Sequence, residues 1–335
     1  MKRFIQFFAI ISLLVVALAA CGSAGNENEA EDTGAEGETA APAESGDKVL
    51  RMGYQKGNTI NILKESGFLE EALEPEGYTI EWREFVHGNA LIEGLSTGNI
   101  DFGHAADGGG IFATAGNKPI VYVGADLPNP EGVGVLVHKD SGINSIEDLK
   151  GKKLGALKGG NHHYLAVLAI RDAGLKDEDI EWTYLQDASQ MRTAFETKKI
   201  DALATYDPFF ASTEIDLDTV NLTEGKDYGY PNRTFYFAEE DFYEQNPELV
   251  ATILEATDRS DQWANENKPE VVKLVSAMLG IDEEVIARAT ERREYGVDLI
   301  NEDIIAAQQK QADVFYELGL IPKEIDVSVD MPILE

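Results

Sequence analysis

Apolar and polar positions along the chain alternate between short strand-like runs and amphipathic helical stretches, the signature of an α/β protein. Residues 49–54 read as a first strand, and Asn58 opens a helix reaching about Glu65. Across 78–85 the alternation is regular, with Tyr78, Ile80 and Trp82 on one side, which fits a strand. Gly88 and Asn89 open a helix that Gly98 closes, and strands are expected at 101–104 and 120–125. A Pro/Gly-rich crossing at 128–132 precedes a strand at 134–138. Ser145-Ile-Glu-Asp148 has the form of a capping box. A strand at 154–157 is followed by a helix that Asn161 opens and Gly174 ends. Strands at 180–184, 202–205 and 234–238 complete the expected set. Beyond them the pattern is helical: Asn246-Pro247, Lys268-Pro269, Asp282 and Asn301 each start a helix, the last running to about Leu318. Proline is well placed at the first helical position.

One junction recurs. A strand ends, and a small or polar residue opens a helix, at 55–59 (Gln55), 104–108 (His104, Asp107), 159–162 (Gly160, Asn161, His162) and 205–208 (Tyr206). The first turn of each helix has free N–H groups and the positive end of the helix dipole. Ligands of open α/β sheets sit beyond the carboxyl ends of the strands. Several such termini converging on one cleft make an anion site without Lys or Arg. The alternative is that these are ordinary capped helices.

The N-terminus is of another kind. Lys2 and Arg3 precede an apolar run over 7–20 broken only by Ser12, shorter than the ~20 apolar residues that span a bilayer. This is the form of a secretory signal peptide over residues 1–20. Its exit, Leu18-Ala19-Ala20-Cys21, resembles a bacterial lipobox, which implies cleavage before Cys21 and its acylation. Cys21 is the only cysteine, so no internal disulfide forms. Two acyl chains make such anchoring stable where one is marginal. Residues 21–47 carry small and acidic residues with no Lys, Arg or aromatic side chain, and read as a disordered tether. The net charge is −33, from 61 acidic and 28 basic residues, which argues against a nucleic-acid partner. No His-x-x-x-His or His/Glu spacing suggests a metal, and no Gly-x-Ser-x-Gly, P-loop or paired-carboxylate motif suggests catalysis. No cofactor is expected. His162 and His163 are adjacent, so on a helix they diverge by about 100°. One of them, with His104, is a candidate ligand donor, and the alternative is a surface or capping role.

From about Val49 to Val327 the chain resembles, collinearly, the aliphatic-sulfonate-binding proteins of ABC importers, in the wider group that binds taurine and nitrate. The similarity is carried by Arg51-Met-Gly-Tyr-Gln-Lys-Gly-Asn58, Glu93-Gly-Leu-Ser-Thr-Gly-Asn-Ile-Asp-Phe-Gly103, Ile111-Phe-Ala-Thr-Ala-Gly116, Tyr206-Asp-Pro-Phe-Phe210 and Arg292-Arg-Glu-Tyr-Gly296. The resemblance implies a type II periplasmic-binding-protein fold. Its two α/β lobes would be joined by two crossings over a ligand cleft, lobe one being 48–130 plus 236–335 and lobe two 131–235. It implies a monomer that sits outside the cytoplasm on a lipid anchor and passes a small anion to permease subunits. Taurine, nitrate or a thiamine pyrimidine precursor are the alternative ligands, and an enzyme or a sensor the alternative roles.

Carried over by motif, Gln55 implies an amide donor at a strand end, Tyr206 a pocket wall and Arg292 a cationic donor at the cleft. Gly160, Asn161 and His162 occupy the place of a Gly-Ser-Ser-rich loop. The departure is at 103–110, where the family has Ser/Thr-Gly-Asp/Glu followed by apolar residues and Pro, and this chain has His104-Ala-Ala-Asp107-Gly-Gly-Gly110. A sulfonate carries no proton and needs donors alone, so Asp107 must turn away from it. Asp107 either caps its own helix or meets a cationic ligand tail.

Overall fold

The computed structural model describes residues 48–333. The expected signal peptide, Cys21 and the tether lie outside the described residues. The first βα units are β1 (Lys48–Tyr54) with α1 (Thr59–Ser66) and α2 (Phe68–Leu73), β2 (Tyr78–Glu84) with α3 (Gly88–Ser96), and β3 (Phe102–Ala106) with α4 (Asp107–Ala115). β4 (Ile120–Asp126) leads out through a first crossing. The chain then forms β5 (Val133–His138), β6 (Lys153–Ala156), α5 (Asn161–Asp172), β7 (Glu181–Tyr184), α6 (Ala188–Glu196), β8 (Ala202–Tyr206), α7 (Phe209–Asp216) and β9 (Thr219–Glu224). A second crossing returns it to β10 (Thr234–Glu239), α8 (Glu240–Gln245), α9 (Pro247–Glu266), α10 (Lys268–Leu279), α11 (Glu283–Glu291), β11 (Val297–Asp298) and α12 (Glu302–Glu317).

Two sheets result, ordered β11-β4-β10-β3-β1-β2 and β7-β6-β8-β5-β9. Each is parallel where βα units follow one another, β1 with β2 and β3, and β6 with β7 and β8. Each takes an antiparallel strand into its interior where the chain arrives from a crossing. β10 lies between β3 and β4, and β5 between β8 and β9. This is the expected two-lobed α/β architecture.

β4 is buried along its whole length, as a strand covered on both faces must be. Tyr122 joins Phe235 and Phe237 against Leu91, Ile111 and Phe315 of α3, α4 and α12. Val121 and Val123 face the other way with Met52, Phe102 and Tyr236, against Ile60 and Leu63 of α1 and Ile253 of α9. In the second sheet Val135, Val137 and Leu154 pack on Ala166 and Ile170 of α5, while Leu136 and Leu203 pack on Met191, Phe195 and Phe210 of α6 and α7.

Several expectations need correction. The expected strand set is incomplete, since β9, before β10, and β11, after it, also pair. β9 is a polar edge strand bonded only to β5, and β11 has two residues, too few to show a period. α2, α6 and α8 were likewise unread. The capping box at 145–148 forms only its acidic half: Asp148 accepts the N–H groups of Asn144 (2.9 Å) and Ser145 (3.2 Å), over a single 3-10 turn. β10 covers the strand expected at 234–238, with Thr234 paired with Ala106. The crossings lie against one another. Asn129 N–H donates to the Pro231 carbonyl at 2.9 Å, and a Cβ on Gly225 would stand 2.8 Å from the Pro130 carbonyl oxygen.

Candidate functional site

The carboxyl ends of β1, β2 and β3 converge because small residues let them. Gln55, just after β1, donates its amide to the His104 carbonyl at 3.1 Å. A Cβ on Gly88, where α3 starts, would lie 3.2 Å from the Ala105 Cβ and 3.9 Å from the Gln55 amide nitrogen. On the opposite lobe, the ends of β6 and β8 meet the start of α5. The His162 ring lies 5.2 Å from that of Tyr206, tilted by 30°.

The two halves touch at α4. A Cβ on Gly108 would come within 2.4 Å of the Gly159 carbonyl oxygen, and one on Gly159 within 2.7 Å of the Phe112 ring. The three consecutive glycines are each filled by a different neighbour. Gly159 approaches Gly108, the Ala105 methyl lies 3.3 Å from the place of a Gly109 Cβ, and the Tyr122 hydroxyl lies 2.1 Å from that of a Gly110 Cβ.

The helix starts at the seam differ in how they are capped. α3 is capped by His87, whose Nδ1 accepts from Ala90 at 3.1 Å, and Asp207 accepts the Ala211 N–H of α7 at 3.0 Å. α1, α4 and α5 have no side-chain cap at Asn58, Ala106 or Gly160. Asn58, expected to cap α1, leaves its Oδ1 buried and unpartnered. Asp107 is the first residue of α4 rather than its cap. Its Oδ1 accepts from Gly108 N–H at 2.7 Å and its Oδ2 from the Tyr230 hydroxyl, while Gln308 donates to its carbonyl at 2.9 Å. Burial raises the pKa of its carboxyl, against the hydrogen bonds from Tyr230 and Gly108. It also lines a cavity of about 150 Å³ with Tyr164, Tyr230 and Gln311, between α5, the second crossing and α12.

The three buried imidazoles are neutral. Burial, with Arg293 nearby, pushes His104 down to about 3. Burial does the same to His162, to about 3, and to His163, to about 4. Neither ring nitrogen of His104 has a hydrogen-bond partner among the described residues. His162 and His163 instead fasten the loop before α5. His162 Nε2 accepts from Leu157 N–H at 2.9 Å, and His163 Nδ1 accepts from Gly159 N–H at 3.1 Å. The rings diverge as adjacent helical residues do, His162 toward Tyr206 and His163 toward Trp182 and Tyr184.

Arg292 is engaged across the seam. Its guanidinium is buried, sits 4.4 Å over the Phe210 ring, binds Glu214 of α7 and lies 3.6 Å from the Asp207 carboxylate. Its Nη1 is buried without a hydrogen bond among the described residues, as is Asp207 Oδ2. Burial lifts Asp207 to about 6, while Arg292 pulls it back. Asn161 is likewise occupied, its amide donating to Asn232 at 2.8 Å. Glu214, Asn232, Tyr230 and Phe112 were missed by sequence reasoning. The one local signal among them was Asn232, in a Pro-Asn-Arg turn, with φ of 49°.

The profile of the family described as NMT1/THI5 like matches residues 74–271. An Escherichia coli K12 protein with the provisional description of an aliphatic sulfonates-binding protein is 35% identical over 289 residues, 86% of this chain and 90% of that one. The crystal structure of the periplasmic aliphatic sulphonate binding protein SsuA from Escherichia coli matches with a TM-score of 0.81 at 32% identity, over 86% of this chain and 94% of that one. The alkanesulfonate-binding protein SsuA from Xanthomonas axonopodis pv. citri, bound to MOPS, matches with a TM-score of 0.76 at 29% identity, over 84% and 97% of the two chains. With this agreement in sequence and in both lobes of the fold, the chain belongs to the NMT1/THI5-like family.

Proposed function

We propose that this protein is the extracytoplasmic solute-binding component of an ABC importer, and that it closes its two lobes on an aliphatic sulfonate. The observation that carries this reading is the seam itself. Three helix starts there, α1, α4 and α5, lack a side-chain cap. His104 and Arg292 Nη1 are buried beside it without hydrogen-bond partners among the described residues. An anion with no proton of its own is held by N–H donors, and helix N-termini supply them at no cost in counter-charge. The relatives named for sulfonate binding support the same class of ligand.

In this reading Gln55, His104, Gly160, Asn161, His162, Tyr206 and Arg292 surround the ligand. Asp107 braces α4 by turning from the anion to its own helix and Tyr230. Lobe one is 48–130 plus 236–335, and lobe two 131–235. Residues 1–20 are a signal peptide, Cys21 is acylated, and 21–47 tether the monomer to the membrane beside its permease subunits.

The test is mass spectrometry of small molecules released from gently purified protein, followed by calorimetry with methane-, ethane- and pentanesulfonate. Sulfonate binding that raises the unfolding midpoint supports the reading, since a ligand of the folded state must stabilise it. Binding of taurine, nitrate or a pyrimidine in place of all three sulfonates refutes the ligand. Turnover of the bound molecule refutes the class.

A further inference from the structure

The start of α5 is joined to both crossings by a continuous file of hydrogen bonds. Leu157 N–H donates to His162 Nε2 at 2.9 Å, and His162 Nδ1 lies 3.0 Å from Asn161 Oδ1. Asn161 Nδ2 donates to Asn232 Oδ1 at 2.8 Å, and Asn232 Nδ2 donates to the Asn129 carbonyl at 2.6 Å. Asn129 lies in the first crossing and Asn232 in the second, and the Asn129 N–H returns to Pro231.

The direction of every link follows from the ends. A backbone N–H can only donate, so His162 Nε2 accepts and the neutral ring carries its proton on Nδ1. That proton requires an oxygen from Asn161, which turns the Asn161 amide nitrogen toward Asn232. Asn232 must then present its oxygen to Asn161 and its nitrogen to the crossing, where the Asn129 carbonyl can only accept. The file therefore has one consistent polarity from end to end, with no free choice of amide orientation.

We propose that Asn232 is a positioning residue. Acting through Asn161 and His162, it ties the loop at 157–160 and the open start of α5 to the hinge, so that the cradle holds its bound-state geometry only when the two crossings are zipped. Its left-handed backbone, at φ 49°, serves this role, because Asn tolerates that conformation and still offers both a donor and an acceptor.

The effect on ligand retention rests on the binding role proposed above, but the file itself can be tested without any ligand. Asn232→Gly keeps the backbone conformation and removes the amide. Amide exchange at Leu157 should quicken about tenfold, the loss of roughly one hydrogen bond's worth of restraint. The unfolding midpoint should change little. Asn161→Ala, which lies away from the crossing, should produce the same acceleration, and the double variant no more than either alone, since the links act in series. Imidazole 15N spectra should show His162 as the Nδ1–H tautomer. With ethanesulfonate as the probe, dissociation should quicken by a similar factor in Asn232→Gly. Unchanged Leu157 exchange in both variants, additive effects in the double variant, or an Nε2–H tautomer overturns the proposal. If the wild-type protein fails to bind ethanesulfonate while the exchange results hold, the sulfonate reading fails and the file stands.

Discussion

Gly108→Ala isolates closure from folding. The new methyl carbon would stand 2.4 Å from the Gly159 carbonyl oxygen, whereas a relaxed C···O contact needs about 3.3 Å, so the seam must part by roughly 0.9 Å there. Within its own half, the methyl's nearest neighbour is the Phe315 ring, at 3.3 and 3.5 Å, a contact that can give. Gly108 is the second residue of α4, and alanine in a helix is favoured over glycine by about 0.5–1 kcal/mol. The ligand-free protein should therefore keep or slightly raise its unfolding midpoint. Closure, in contrast, bears an overpacking penalty of about 1–3 kcal/mol, which lowers ethanesulfonate affinity about 5- to 150-fold. Calorimetry with ethanesulfonate, beside thermal unfolding with and without it, reads both terms. Gly109→Ala is the control, because its methyl meets Ala105 at 3.3 Å and Ile92 at 3.9 Å, both of the same lobe. Wild-type affinity after Gly108→Ala would refute the view that α4 and the 157–160 loop close on the ligand. Equal losses from both substitutions would show that the effect is one of helix packing.

Gly110→Ala, whose Cβ would fall 2.1 Å from the Tyr122 hydroxyl, should lower stability by about 1–3 kcal/mol in urea unfolding, the opposite sign to Gly108→Ala. Arg292→Ala strands Glu214 and Asp207 in a buried seam and should cost about 3 kcal/mol by the same measurement, with partial recovery on the additional change Glu214→Gln. Imidazole NMR should show His104, His162 and His163 uncharged from pH 8 to pH 5, since burial holds them near 3 to 4. The unfolded chain takes up those protons near pH 6.5 and the native chain does not, so each imidazole's stabilisation is complete above that pH and is lost as pH falls toward 3 to 4, at up to ~1.4 kcal/mol per unit. Asp207, raised to about 6, acts in the opposite sense, contributing stability below ~4 that disappears as pH rises through 6. Asp207→Asn should therefore steepen the acid loss between pH 6 and 4 in denaturant titrations.

The strand-and-helix order was legible wherever burial imposed a pattern, an alternation in β2 and a continuous apolar run in β4, whose seven residues are all buried. It failed at β9, where a polar edge strand shows the sequence of a loop. At the seam the sequence identified which residues stand at strand ends, but not what they would touch. Arg292 read as a free donor, and Glu214, 78 residues away, engages it. Asn161 and His162 read as ligand donors, and the partner that occupies the Asn161 amide, Asn232, is 71 residues distant. Asp107 read as a helix cap or a cation acceptor. It does turn to its own helix, but from the first helical position, and it shares its second oxygen with Tyr230. Local spacing specifies a backbone junction, whereas these pairings depend on which crossing segment folds back beside it.

The placement of β10 has a consequence for when the protein can fold. β3 and β4 never pair with each other, since the strand between them is made more than a hundred residues later. A chain emerging from the ribosome therefore holds the two halves of its first sheet apart until Glu239 has been synthesised. Pairings this distant in sequence form slowly. The delay leaves the first sheet incomplete through most of synthesis, whereas the second, whose last strand ends at Glu224, waits for nothing made later.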